Sequence, residues 1–421
     1  MSEPSLKRNA FALLAMQAIN YLVPLITLPY LTRTLGVEQY GALTFTTSII
    51  QYGILVINFG FSLSVTQYIA KNRSNYTLIS AVFWETLIIK LCLFLVCCIF
   101  LLVLSSIFSV FYSVKLLIAL FFLQLFSVAI DPLWFFQGLE KLERISLISA
   151  IIRLLNIPLL LFFVHVPEDV YKVVIIQSCI FLSISFVSLY CVYKENIITF
   201  LSIYQLKLGR SLQLAIPVFI SLLASSLYGS STPIILGVME GKEANGLYMA
   251  SFYIQAAVIG VFTVLGQILF PRVNYLFAQS QEAGYVFVTR LLFYAIPIFT
   301  LSAILFYIFL PIIAPYVLGE QFILVQNLIK IMSPMIFFIP LSILIANNLL
   351  LTLGYTRIYF LIPCCIGIAH LLYVPYFISQ WGINGAAYGI LLTEFFICIG
   401  FSCAALYLTD IRKYFLFKRI S

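Results

Sequence analysis

Between Leu116 and Ile130 the chain carries no charged residue. The run then breaks into DPLWFFQGLEKLER over residues 131–144: an acid beside a proline, then aromatics, a Gln-Gly step and a burst of charge. An apolar stretch that closes in aromatics and then charge reads as a helix passing from hydrocarbon into water. The same alternation recurs along the whole sequence, and it bounds the fold. Apolar runs between polar breaks give twelve candidate spans at about 10–31, 42–69, 78–104, 114–137, 145–164, 171–193, 211–236, 247–270, 286–313, 327–352, 357–378 and 386–408. Each reaches the ~20 residues a helix needs to cross a bilayer. The longer ones imply tilt or ends projecting into the headgroups. Hydrophobic residues make up 63% of the 421 and charged residues 9%, against about 25% charged in soluble domains. In hydrocarbon a backbone must satisfy its own hydrogen bonds. The expected fold is therefore all-α and integral to the membrane.

The start, MSEPSLKRNAF, has the basic character of a signal peptide, but the apolar run after it is long and lacks a small-residue cleavage site. It reads as the first membrane helix. Numbering the loops alternately places Lys7, Arg8, Lys71, Arg73, Lys141, Arg144, Lys194, Lys207, Arg210, Arg272, Arg357, Arg412, Lys413, Lys418 and Arg419 on one side, and Arg33, Lys115, Lys172 and Lys242 on the other. That bias predicts both termini in the cytoplasm. It also explains the net charge of +8 without nucleic acid. The nine cysteines lie in apolar runs without CxxC spacing and behave as small hydrophobes.

The sequence echoes itself. TRTLGVEQYGALTF, between the first two spans, resembles IILGVMEGKEANGLYMASF, between the seventh and eighth, with Gly36 and Gly237 aligned. QGLEKLERIS resembles LGYTRIYF, with Gly138 and Gly354 aligned. Two six-span halves in the same orientation follow, 1–200 and 201–421, a transporter architecture with its site between the halves.

A charge at a helix centre costs ~2.5–3.5 kcal/mol, so the few intramembrane ionisable groups are the candidates for function. They are Glu85 and Lys90 in span three, Asp131 in span four, Arg153 in span five and Glu394 in span twelve, with Arg290 and Lys330 nearer span ends. Asp131 precedes Pro132, which favours a kink; it is either a paired structural carboxylate or a gating or coupling acid. Trp134 fits an interfacial belt. Arg153 suits an anion through its planar fork, or a structural pair with Asp131 or Glu85. Glu394 has no base near it in sequence and is a candidate for proton exchange or for pairing at a distance. Arg33 snorkels or meets an anionic substrate. Polar stripes mark span one (Gln17, Asn20, Thr27), span two (Thr44, Thr47, Gln51, Asn58) and span seven (Ser225, Tyr228, Ser231, Thr232). His165 and His370 read as packed or solvated. No P-loop, G-x-S-x-G, HExxH or zinc spacing is present, and no metal or cofactor is expected.

LPYLTRTLGVEQYGALTF, NFGFSLSVTQYIAK and above all DPLWFFQGLEKLERIS resemble the bacterial polysaccharide repeat-unit flippases. These are the O-antigen transporters of the Wzx type, within the multidrug/oligosaccharidyl-lipid/polysaccharide exporter superfamily. Asn58 stands where that family commonly has an acid. The resemblance implies two six-helix bundles around a central cavity that opens alternately to each side. It implies a substrate of one oligosaccharide unit on undecaprenyl pyrophosphate, for lipopolysaccharide O-antigen or a related surface polymer, in the bacterial inner membrane. A cationic cavity would then draw on Arg33, Lys90, Arg153 and Arg290, with Glu85, Asp131 and Glu394 for pairing or cation coupling. O-antigen polymerase and a chain-length regulator would be partners. The rival readings are a multidrug/cation antiporter, which should favour acids in its cavity, and the polymerase itself, which needs longer outer loops than this chain has.

Overall fold

The computed structural model describes residues 3–199 and 208–417. The expected junction at 200/201 lies outside the described residues, as does Lys207. The side chains of Lys7, Arg8, Gln17, Arg210 and Ser225 and all of Lys418 and Arg419 also fall outside them. The described chain is helical and, among the described residues, holds no strand.

The first unit spans 1–223. It contains α1 (Glu3–Asn58), α2 (Phe61–Lys71), α3 (Tyr76–Ile107), α4 (Ser109–Tyr112), α5 (Lys115–Ile130), α6 (Leu133–Gly138), α7 (Leu142–Leu154), α8 (Asn156–Phe163) and α9 (Val170–Lys194), with α10 (Leu208–Gly229) starting within it. The second unit spans 224–421. It holds the end of α10, then α11 (Ser231–Met239), α12 (Gly241–Gln279), α13 (Gln281–Leu318), α14 (Val325–Met332), α15 (Met335–Ile345), α16 (Thr356–Leu408) and α17 (Ile411–Phe417). Among the described residues nine helical stretches are long and apolar enough to cross a membrane. Two of them, Leu22–Lys71 and Thr356–Leu408, are far longer than one crossing requires. Each is interrupted at a glycine, Gly36 (φ 69, ψ 177) and Gly382 (φ 54, ψ −134), so each supplies two passes. With α10–α11 the count of about twelve is reached. The expected loops between spans one and two, and between eleven and twelve, are single-glycine turns.

In the first unit Phe61, Val65, Ile69, Phe83, Trp134, Phe135 and Phe136 form one core. Trp134 is 4% exposed and packs on Phe83 and Phe135, so it is a core residue and not part of an interfacial belt. The Asp131-Pro132 step does more than kink span four: it ends α5 and starts α6 anew. The short α6 lies so close to α2 that a Cβ on Gly138 would stand 2.7 Å from Ile69 Cβ. Thr66 Oγ1 donates to the Trp134 carbonyl at 3.1 Å across the same seam.

The turn after α6 is closed by Glu140, with φ 58, where Lys141 N–H returns to the Phe136 carbonyl. The turn after α15 closes alike at Gly354, with φ 85, where Tyr355 N–H returns to the Leu350 carbonyl. The residue that shares the turn geometry of Gly354 is therefore Glu140, two positions beyond Gly138. At the other joint the left-handed glycine matching Gly36 is Gly241 (φ 89), not Gly237. This places Gly-Val-Glu-Gln-Tyr-Gly (36–41) over Gly-Lys-Glu-Ala-Asn-Gly (241–246). Glu140 is held by an ion pair with Arg73, and the adjacent Lys141 pairs with Glu195, so three loops at this end of the unit are tied together. The hydrogen bond from Arg73 holds the Glu140 carboxyl below its ordinary range.

Candidate functional site

The break in span four organises the first candidate site. Ile130 ends α5, Asp131 is extended (φ −69, ψ 119) and Pro132 supplies no N–H. Helical partners for the carbonyls at this break are thereby lost, inside an apolar stretch where a bare carbonyl is costly. The Asp131 side chain covers one consequence: its Oδ1 accepts from Leu133 N–H at 3.2 Å, restarting the chain as α6. Lys90 covers the other. Its Nζ reaches across from α3 and donates to the Asp131 main-chain carbonyl at 3.2 Å, and the residue is 2% exposed. The charges of Lys90 and, more weakly, Arg153 both act on the Asp131 carboxylate.

Arg153 approaches from α7. Its guanidinium donates to the Asn20 side-chain oxygen and lies over the Phe181 ring, 5.1 Å from the centroid. Its Nε is buried without a partner, and so is Asn156 Oδ1 three residues on. The site thus holds two cations, one carboxylate and unspent hydrogen-bonding atoms beside an interrupted helix. A planar guanidinium with a free donor can grip a phosphoryl or carboxylate group.

Of the other expected residues, Glu85 is fully buried and accepts from Ser211 Oγ at 2.7 Å. It is in the same unit, one and a half turns before Lys90 on α3. Arg33 is exposed on α1 close to the Gly36 turn, and Arg290 is exposed on α13 in the second unit. The structure therefore gathers Lys90, Asp131 and Arg153 within the first unit.

Glu394 heads a separate polar pocket in the second unit. It is 7% exposed and lines a cavity of about 210 Å³ with Tyr228, Ser342, Asn347, Tyr359 and Pro363. Among the described residues no cation pairs with it. One residue away on α16, Thr393 joins a chain that sequence reasoning did not assemble. His370 meets Thr232 Oγ1 through Nε2 at 2.9 Å and Thr393 Oγ1 through Nδ1 at 2.6 Å. Tyr373 also meets Thr393, at 2.6 Å. Thr393 donates to the Gly389 carbonyl at 2.8 Å, so it accepts from His370, which fits the Nδ1–H tautomer. His370 is packed, as expected, but it ties three spans together. Its partners are 138 and 23 residues away, a separation that no local pattern encodes.

Residues 6–277 match the family of polysaccharide biosynthesis proteins. The chain is also 30% identical, over 93% of its own length and 94% of the relative's, to a protein of Escherichia coli (strain K12) named "Putative O-antigen transporter". It belongs to the polysaccharide biosynthesis protein family. Solved structures agree on the architecture. A lipid II flippase, MurJ in an inward closed conformation, superposes with a TM-score of 0.69 at 13% identity, over 99% of this chain and 90% of that one. An inward-facing multidrug resistance MATE family transporter of the MOP superfamily gives 0.65 at 15% identity, over 93% and 99%. The fold of this polysaccharide biosynthesis protein is thus that of MOP-superfamily transporters, as the sequence motifs implied. At such identities the likeness carries the fold alone.

Proposed function

We propose that this protein is an O-antigen flippase. In this reading it moves undecaprenyl-pyrophosphate-linked oligosaccharide units from the cytoplasmic to the periplasmic leaflet of the inner membrane by alternating access, with no covalent chemistry. The observation that carries the reading is the pair of cations, Lys90 buried and Arg153 half-buried, at an interrupted helix with an unspent donor on Arg153. A sugar chain on a pyrophosphate cannot cross hydrocarbon unaided, since burying unpaired charge and hydroxyls is prohibitive. Two fixed cations lower that cost where the head group passes. A pocket for cationic drugs would be expected to reverse this balance of charge. Family membership supports the polysaccharide class. Glu394, buried without a cation among the described residues, is the candidate for coupling transport to a proton or metal cation, and both termini face the cytoplasm by the lysine and arginine bias.

The test is made in a strain lacking the protein, by extracting lipid-linked saccharides and assaying surface polymer. Complete units accumulating on the carrier while polymer vanishes, restored by the wild-type copy and not by Arg153→Ala, would support the flippase. Single units reaching the surface unpolymerised would move the protein to the polymerase side. No change in either, with altered drug sensitivity, would favour the antiporter.

A further inference from the structure

Two apolar grooves on the second unit share one wall. The larger, about 740 Å³, runs between α15 and the two arms of α16, lined by Pro334, Phe338, Phe377 and Leu391 among others. The smaller, about 550 Å³, runs between α13 and α15, with Ala303 and Tyr307 facing the same Pro334 and Phe338. The backbone stays right-handed helical from α14 through Ser333 (φ −55, ψ −36) and Pro334 (φ −64, ψ −18) into α15. Lys330, Pro334 and Phe338 are therefore spaced i, i+4, i+8 and share one helix face. Lys330 lies nearest the start of span ten, is exposed, and forms no ion pair among the described residues. The result is one cation at the head of a ridge with a groove on each flank. Trp381 and Tyr388 line the larger groove and Tyr307 the smaller, and such aromatics suit a membrane protein's lipid-facing surface.

We propose that this surface seats a two-chain anionic phospholipid, its phosphate on Lys330 and one hydrocarbon chain on each side of Phe338. The charge at the ridge head selects an anionic head group, and the paired grooves select two chains. A single polyprenyl chain would fill only one groove. The seat lies in the half of the membrane where span ten begins, the outer leaflet by the charge bias. It does not depend on which substrate is carried.

The test is retention of lipid by the purified full chain in native mass spectrometry, comparing phosphatidylglycerol with phosphatidylcholine of identical chains. One surface lysine should favour the anionic lipid about five-fold, and Lys330→Gln should abolish the preference; the position is exposed, so folding should survive. Ala303→Trp and Leu391→Trp, each filling one groove, should weaken retention of phosphatidylglycerol but leave single-chain lysophosphatidylglycerol bound. Equal retention of the two lipids, or an unchanged preference in Lys330→Gln, overturns the proposal. Displacement of phosphatidylglycerol by an equal concentration of polyprenyl phosphate would assign the seat to the carrier lipid, and a stable dimer that excludes lipid would make it a protein interface; either overturns it too.

Discussion

Replacing Lys90 with Met removes a charged donor from a main-chain carbonyl that has no other helical partner. A hydrogen bond to a charged group contributes about 1.5–3 kcal/mol, a figure that includes the cost of leaving its buried acceptor bare. The Asp131 carboxylate also loses the stronger of the two cations acting on it. Among the described residues no ion pair joins Lys90 to the Asp131 side chain, so the loss is that of a charged hydrogen bond and not the ~3–5 kcal/mol of a broken buried ion pair. Lys90→Met should therefore lower unfolding free energy by about 1.5–3 kcal/mol in mixed micelles, a large share of the margin of a small fold. Lys90→Gln keeps a donor and should recover part of that loss. Asp131→Asn keeps an oxygen for Leu133 N–H and should be milder than Lys90→Met. The double variant Lys90→Met/Asp131→Asn should be less damaging than the sum, by about 0.5–3 kcal/mol. If Lys90→Met unfolds within about 0.5 kcal/mol of wild type, a difference normal for inert positions, the carbonyl is not held by Lys90 and the account of the break is wrong.

Just beyond the Gly382 turn of α16, a Cβ on Gly385 would stand 2.0 Å from the Phe377 carbonyl oxygen, so Gly385→Ala should splay the two arms of α16 and abolish stable expression. Glu140 has φ 58, so Glu140→Gly should be more stable than Glu140→Ala by about 1 kcal/mol, measured by the same unfolding assay, although both lose the Arg73 pair. Because the folded carboxyl of Glu140 lies below its unfolded value, the pair's contribution is complete above the unfolded pKa and fades as pH falls through the folded one. Glu140→Gln should flatten that acid limb, and the effect should stay under about 1 kcal/mol because the pair is half-exposed. Glu394→Gln should remove any pH dependence of transport while leaving substrate-dependent thermal stabilisation intact; an unchanged pH profile would retire Glu394 as a coupling group.

The membrane class, the approximate spans and the burial of Glu85, Lys90 and Glu394 were legible because hydropathy and charge are local, and a bilayer punishes exceptions, whereas Asp131 and Arg153 are half-buried and Arg290 and Lys330 exposed. What Asp131-Pro132 does was only half legible. Proline announces a disturbance, but a kink and a full break differ in whether something else takes the freed carbonyl, and that group is Lys90, 41 residues earlier. Trp134 misled because an aromatic near charges is common both in belts and in cores. Its burial depends on Phe83 and on the close seat that Gly138 allows. Identity of letters favoured Gly237 as the counterpart of Gly36, whereas the residue that shares its left-handed backbone is Gly241. The His370 chain was invisible because its members meet only after three spans assemble.

The turn at Gly382 has a bearing on how the chain is made. From Ile358 to Thr393 no Asp, Glu, Lys or Arg interrupts the sequence, so nothing at the turn tells an insertion machinery which way either arm should face. The two arms of α16 must enter the bilayer together as a hairpin, taking their direction from the basic residues at its ends, Arg357 on one side and Arg412 and Lys413 on the other. A lysine placed beside Gly382 would confront nascent chains with two competing instructions, and the damage would appear during synthesis, before any folded protein existed to be unstable.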